Sequence, residues 1–244
     1  MSRKRRAPLR TLVDEFARTH PELEDPTALI ARGDVLVDGI VRTNPASLVR
    51  SGAAITLRAP PRLRGEAKLR AALAKFRIDL RGRVALDIGA AAGGFTRALL
   101  AAGAARVYAV DVGHGQLLGS LRQDERVVNL EATNLGDLDR TVIPDVIELV
   151  TLDLSYLPLR EAAPQLRRVA LARDAELVAL VKPQFELRLA SPPLREEDLH
   201  TAAQSARLGF EEHGWHVLGV IPSPVHGARG SREFFLYGVR QEAG

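Results

Sequence analysis

The order of apolar and polar positions divides the chain into two stretches of different rhythm. Residues 8–31 carry a weakly patterned helical signal, interrupted at Pro21 and Pro26. Two short β-branched runs, Val35-Leu36-Val37 and Ile40-Val41-Arg42, then flank Asp38-Gly39. A two-residue turn needs positive φ at both central positions, and Asp-Gly tolerates it, so this spacing predicts a hairpin. Asn44-Pro45 turns the chain again, and Ala54 to Arg58 reads as a further strand. Residues 59–65 carry two prolines and a glycine and read as a linker, which releases the chain into a helix over 66–76.

From residue 84 onwards strands and helices alternate. Apolar runs predict strands at 84–88, 106–110, 127–130, 146–152 and 176–181, with helices near 94–102, 115–122, 159–172 and 197–212. Such alternation implies a mostly parallel sheet covered on both faces. Two last strands, at 216–221 and 233–239, follow one another through the turn Pro222 to Gly230 and imply an antiparallel hairpin at one edge. The class is therefore α/β. This ending suits a Rossmann-like class I methyltransferase sheet better than a dehydrogenase, whose sheet is usually parallel throughout.

Composition narrows the setting. An apolar share of 46% with mixed charge fits a folded protein. The absence of cysteine excludes disulfides, thiolate metal sites and a thiol nucleophile, and fits a cytoplasmic location. The basic start Arg3 to Arg6 has no apolar run behind it, so no secretory signal is read there. No stretch approaches the roughly 18 apolar residues that span a bilayer. The net charge of +4 is uneven: residues 1–80 hold 16 Lys+Arg against 9 Asp+Glu, and residues 81–244 hold 18 against 21. A basic N-terminal part is what contact with a polyanion such as RNA requires.

The chemistry centres on Val84 to Thr96, VALDIGAAAGGFT. A buried strand ends in Asp87 and breaks into a turn at Gly89, Gly93 and Gly94, at the strand end where such sheets bind ligands. The glycine spacing is not the G-x-G-x-x-G of a dinucleotide site. An acid at the strand end suits a ligand with hydroxyls or positive charge, such as S-adenosylmethionine. Asp111 ends the second strand, where a carboxylate accepts hydrogen bonds from ribose hydroxyls, and Asn134 follows the third strand near an adenine position. The fourth strand ends at Asp153 and the fifth at Lys182, while Glu233 opens the last strand at the same edge. Three charges converging beside a glycine loop point to function more than to a structural ion cluster. The chain has only four lysines, Lys4, Lys68, Lys75 and Lys182, among 34 basic residues, which singles out those that reach a site.

Two resemblances organise these pieces. GDVLVDGIVRTNPASLVRSGAAITL resembles the second half of an S4 domain, a family that presents arginines to folded RNA. This implies an S4-like α+β RNA-binding domain over 1–58, a linker over 59–65, and RNA contacts at Arg32, Arg42, Arg62 and Arg64. The phrases ALDIGAAAGGFT, ARVYAVDVGHGQL, VTLDLSYLPL, LVALVKPQFE and SREFFL resemble, in order and spacing, the TlyA-type ribosomal RNA 2′-O-methyltransferases, an S4 domain joined to an FtsJ-like methyltransferase domain, here 66–244. The family has also carried the label haemolysin, yet no segment here is suited to membrane insertion.

The resemblance implies S-adenosylmethionine-dependent methylation of a ribose 2′-oxygen in ribosomal RNA or a ribosomal subunit, on a cytidine, with no metal required. It carries the family's Lys–Asp–Lys–Glu set over to Lys68, Asp153, Lys182 and Glu233. Lys182 would take or steer the hydroxyl proton, Lys68 would hold the hydroxyl, and both carboxylates would orient Lys182. The expected cofactor contacts are Asp87, Gly89, Gly93, Gly94, Phe95, Asp111 and Asn134. Two departures stand out. Ala90-Ala91-Ala92 replaces a Ser-Thr pair in the loop, and residues 187–196 are shorter than the family's glycine-rich segment and carry Pro192-Pro193. A non-catalytic RNA- or ribosome-binding protein that keeps the fold is the alternative.

Overall fold

Asp38 and Gly39 take φ of +50° and +80°, so the two-residue turn closes the hairpin of β2 (Val35–Val37) and β3 (Ile40–Arg42). The computed structural model describes residues 8–21, 23, 25–57 and 63–241 and divides into two compact units, Met1–Arg62 and Leu63–Gly244. Arg62, residues 59–61 of the expected linker and the basic start Arg3 to Arg6 lie outside the described residues.

In the first unit, β1 (Leu9–Thr11) leads into α1 (Leu12–Thr19), where the Thr11 hydroxyl accepts the Asp14 N–H as an N-cap. Then α2 (Pro26–Ala31) starts on a proline, which needs no N–H there. β4 (Leu48–Arg50) pairs with β1, and β5 (Ile55–Leu57) pairs with β2. Leu12, Phe16, Ile30, Val35, Val37, Val49 and Ile55 form its core. The β1–β4 pair was not foreseen, because three-residue strands give too few alternations to read.

The second unit opens with α3 (Arg64–Phe76) and runs β6 (Val84–Ile88), α4 (Gly94–Ala101), β7 (Arg106–Val110), α5 (Gly119–Arg122), β8 (Val127–Leu130), β9 (Ile147–Leu152), α6 (Leu159–Ala162), β10 (Leu171–Val181), α7 (Pro183–Glu186), α8 (Glu196–Glu211), β11 (Trp215–Pro222) and β12 (Phe234–Arg240). Its seven strands lie in the order β11-β12-β10-β9-β6-β7-β8. The five from β8 to β10 are parallel, and β12 is antiparallel to both its neighbours. The α/β class and the mainly parallel sheet expected from the sequence are therefore present. The closing antiparallel pair is there too, with β12 inserted beside β10 and β11 left at the edge. Two apolar cores, one centred on Leu86, Val150 and Phe210 and one on Leu69, Leu99 and Phe235, pack the sheet.

Two helices are shorter than their patterns suggested. The 159–172 stretch keeps only α6 as α-helix, tightens into a 3₁₀ turn from Ala163 that carries Pro164, and gives up Leu171 onward to β10. The 115–122 stretch starts late, because Glu131 holds the backbone N–H groups of Gln116 and Leu117 in a turn at 2.6 and 2.9 Å. That carboxylate is 8% exposed and also faces Arg122 at 3.2 Å. Its donors, the Leu117 N–H foremost and then the Asn129 amide and the N–H groups of Gln116 and Gly115, hold it at about 2, down from 4.5. A depressed carboxyl stabilises the fold above its unfolded value, and that contribution is lost as pH falls from about 4.5 towards 2. Glu131→Gln is thus expected to flatten the acid limb of a stability-against-pH curve over that window while costing stability at pH 7. Urea melts followed by the single tryptophan, Trp215, read this in the second unit. An unchanged acid limb would remove Glu131 from the account.

Candidate active site

The sheet registers decide what meets at the C-terminal edge. Ile88 lies opposite Val110 on one side and Leu152 on the other, so the turn after β6 sits between Asp111 and Asp153. The Gly89 and Ala90 N–H groups donate to the Val110 carbonyl at 2.8 and 3.0 Å, and the Asp153 N–H donates to Ile88 at 2.9 Å. Val181 lies opposite Phe234 in the antiparallel pair, which makes Lys182 and Glu233 neighbours.

The glycines of the turn answer to crowding. Gly89 has φ +83°, and a Cβ there would stand 2.6 Å from the Asp153 carbonyl oxygen. At Gly93, φ +93°, it would strike the Leu121 side chain, and at Gly94 it would come within 3.0 Å of the Gly65 backbone. The same turn is thus the contact that sets β9 against β6 and the start of α3 against α4. Glu66 on α3 and Arg97 on α4 are paired across that contact at 2.5 Å. Ala91 holds φ +45° without being glycine, its N–H donating to Asp111 at 2.9 Å.

Each expected cofactor residue has a definite place. Asp111 lies at the open edge and also accepts the Gly113 N–H at 2.7 Å, so one carboxylate shapes two turns. Asn134 is exposed at the start of the next turn and reaches Asp137 at 3.4 Å. Two of them turn their side chains inward. Asp87 is fully buried, accepting hydroxyl hydrogen bonds from Thr96 at 2.7 Å and Thr151 at 3.0 Å. Burial above all pushes its carboxyl up to about 7, against the pull of those two hydroxyls. Phe95 is 2% exposed and packs towards Phe235, with ring centroids 6.1 Å apart. Asp87 is inward because its strand is buried on both faces, and Phe95 because it lies on the core-facing side of α4; both brace the turn from behind.

The four expected catalytic residues form two ion pairs. Lys182 Nζ lies 2.6 Å from Asp153 and donates to Ser155 Oγ, also at 2.6 Å. Lys68 Nζ lies 2.5 Å from Glu233, with both side chains under 10% exposed. The expectation that both carboxylates orient Lys182 is corrected for Glu233: a buried ammonium demands its own counter-charge, and Lys68, arriving from α3, takes it. Lys68, Lys182, Glu233 and Ser155 line a cavity of about 200 Å³ with Phe185, Arg232, Pro192 and Pro193 among its walls. Asp153 stands behind Lys182.

Three contributors were not picked out from the sequence. Ser155 was within reach, two residues beyond Asp153 and on the same crevice. Gly227 carried no signal beyond a Pro- and Gly-rich turn, yet a Cβ there would sit 1.9 Å from the Glu233 carboxylate. Glu186 is buried at the end of α7, accepts the Leu159 N–H and is raised to about 7 by burial. It ties the helix that follows Lys182 to the end of the segment holding Ser155.

Of the residues expected to touch RNA, Arg42 is exposed on β3, Arg32 is paired with Asp34 at 3.0 Å, and Arg64 is exposed in the first turn of α3. Among the described residues no group of three or more His, Cys, Asp or Glu is arranged to hold a metal ion, and no helix is long and apolar enough to cross a membrane.

Comparison with known proteins places this geometry. Residues 61–240 match the FtsJ-like methyltransferase family. The chain is 39% identical to the 16S/23S rRNA (cytidine-2'-O)-methyltransferase TlyA of Mycobacterium tuberculosis, over 97% of this chain and 90% of that protein. A solved structure from Streptococcus thermophilus, described as a proposed hemolysin, superposes with a TM-score of 0.70 at 29% identity, over 96% of this chain and 90% of that one. A proposed S-adenosylmethionine-dependent methyltransferase from Listeria monocytogenes shares the fold, with a TM-score of 0.52 at 16% identity over 73% of this chain and 99% of that one.

Proposed function

The chain belongs to the FtsJ-like methyltransferase family, and we propose that it methylates the 2′-oxygen of a cytidine ribose in ribosomal RNA, using S-adenosylmethionine. The observation that carries this reading is the meeting of Lys68, Lys182 and Glu233 around one cavity, with Asp153 behind them, at the strand edge that bears the glycine turn.

The turn suits the cofactor. Gly89 and Gly93 let it pack tightly on the end of β9 and on α5, which holds it at the open strand edge, and Asp111, whose oxygens each accept one backbone N–H, keeps lone pairs for the two hydroxyls of a ribose. Asn134, exposed on the turn after β8, would meet the adenine in this reading. S-adenosylmethionine supplies a methyl group on a positive sulfur, so that an O–C bond forms as the C–S bond breaks and a neutral thioether leaves.

The protein's part is to present the oxygen. An ammonium has three donors; two on Lys182 face Asp153 and Ser155, which leaves one for the ribose 2′-oxygen. Held that way, Lys182 steers the hydroxyl proton out to water as the O–C bond forms and stabilises the oxygen while that proton leaves. Lys68, fixed by Glu233, gives the same oxygen a second positive contact. Positioning supplies much of the rate, because a ribose held in line for attack has already lost its orientational freedom. The first unit is an S4-like RNA-binding domain in this reading, with its Arg32 and Arg42, and Arg64 of α3, on the substrate and a ribosomal subunit in the cytoplasm as the partner.

Calorimetry should give one S-adenosylmethionine bound per chain, and ribosomal RNA treated with protein and cofactor should gain an alkali-resistant linkage at a cytidine. No bound cofactor, or RNA without such a linkage, would reject the assignment.

A further inference from the structure

The second unit opens on a basic stretch that includes its first helix. Residues 64–83 hold seven Lys+Arg against two Asp+Glu, whereas residues 84–244 are acidic, 16 against 21. α3 buries Lys68, Leu69, Ala72 and Leu73 and turns Arg70 and Ala74 outward, and Arg77, its C-cap, is exposed as well. Arg70 lies in mid-helix and Arg77 at the C-terminal end of the helix. They border an open groove of about 820 Å³ with an apolar floor that includes Leu73, Ala98 and Ala102. Arg81 stands on the same rim, paired with Asp79 at 2.6 Å. Among the described residues, neither Arg70 nor Arg77 has a carboxylate partner.

We infer that this groove and the outer face of α3 bind the phosphates of the RNA beyond the target nucleotide. Charge complementarity selects the occupant: two unpaired guanidiniums on one rim, one on the helix and one at its C-terminal end, match the repeated negative charges of a phosphate backbone. The same helix carries Lys68 into the candidate active site, so RNA gripped on its outside is held at a fixed offset from the reacting ribose. Favourable interaction with a helix C-terminus explains Lys75 and Arg77 in part, but not Arg70 in mid-helix. Arg77 also holds φ +58°, a conformation that glycine takes without steric cost, yet the chain keeps an arginine there.

The inference rests on RNA being the substrate, and its test separates the two. Arg70→Gln with Arg77→Gly removes both charges, the second at a position whose backbone favours glycine. The full-length double variant should keep the wild-type melting temperature and cofactor affinity, and its kcat should stay within twofold. Its KM for full-length ribosomal RNA should rise about tenfold, and its salt dependence of RNA binding should weaken by one to two units of log–log slope. A short oligonucleotide carrying only the target nucleotide should be methylated as by wild type. An unchanged KM and salt slope on long RNA would overturn the inference, including the case in which the groove serves an acidic protein instead. If wild type methylates no RNA, the functional assignment falls, and filter binding of the same long RNA by the two proteins still decides whether the groove holds it.

Discussion

Replacing Lys182 by alanine is expected to lower methyl transfer by roughly 10³-fold, the scale of a lost proton-handling and charge-stabilising group, while cofactor affinity stays within a few-fold of wild type. Lys182 lies on the cavity wall, whereas the turn and Asp111 that are assigned to the cofactor belong to β6 and β7. Removing the ammonium also frees Asp153 and Ser155, but Asp153 is partly open to solvent, 23% exposed in its side chain, so the fold is expected to hold. Tritium transfer from labelled S-adenosylmethionine to ribosomal RNA, beside calorimetry of cofactor binding, separates the two effects. Transfer at the wild-type rate would remove Lys182 from the mechanism, and equal loss of cofactor binding would make it a structural residue.

The second large effect concerns stability. Lys68 and Glu233 are 8% and 5% exposed and 2.5 Å apart, so truncating one strands the charge of the other. Glu233→Ala is expected to cost about 3 kcal/mol. That lowers the melting temperature of the second unit by roughly 10 °C, together with loss of transfer. Pairing Lys68→Met with Glu233→Gln removes both charges and is expected to recover most of the stability and none of the activity. A double variant no more stable than Glu233→Ala would show that the pair is not electrostatically coupled. A double variant that still transfers methyl would show that neither residue is needed for chemistry.

Much of the second unit was legible as sequence because all but one of its strands are five or more residues long and the central ones are buried on both faces, which leaves near-continuous apolar runs such as Val84 to Ile88 and Leu177 to Val181. The Asp38-Gly39 turn was legible because backbone sterics allow few residues at two successive positive φ values. The three-residue strands of the first unit were not, and neither were the true ends of α5 and α6, where Glu131 and Pro164 override the periodic signal. Asp87 and Phe95 show the limit of reading a motif. Their neighbours mark a ligand turn, but which face each side chain takes is decided by the strand or helix that carries it.

The sequence by itself determined the α/β order, the hairpin, the place of the glycine turn and the four charged residues assigned to the site, since each depends on spacing along the chain or on a motif. The tertiary structure alone decided the pairing. Lys182 meets Asp153, and Lys68 crosses 165 positions to meet Glu233, because strand register and the packing of α3 on α4 bring those groups within 3 Å. Gly227 becomes necessary only once the Glu233 carboxylate lies against its backbone. Local sequence carries propensity and pattern; which charges neutralise each other in a buried site depends on distances that only the packed chain sets.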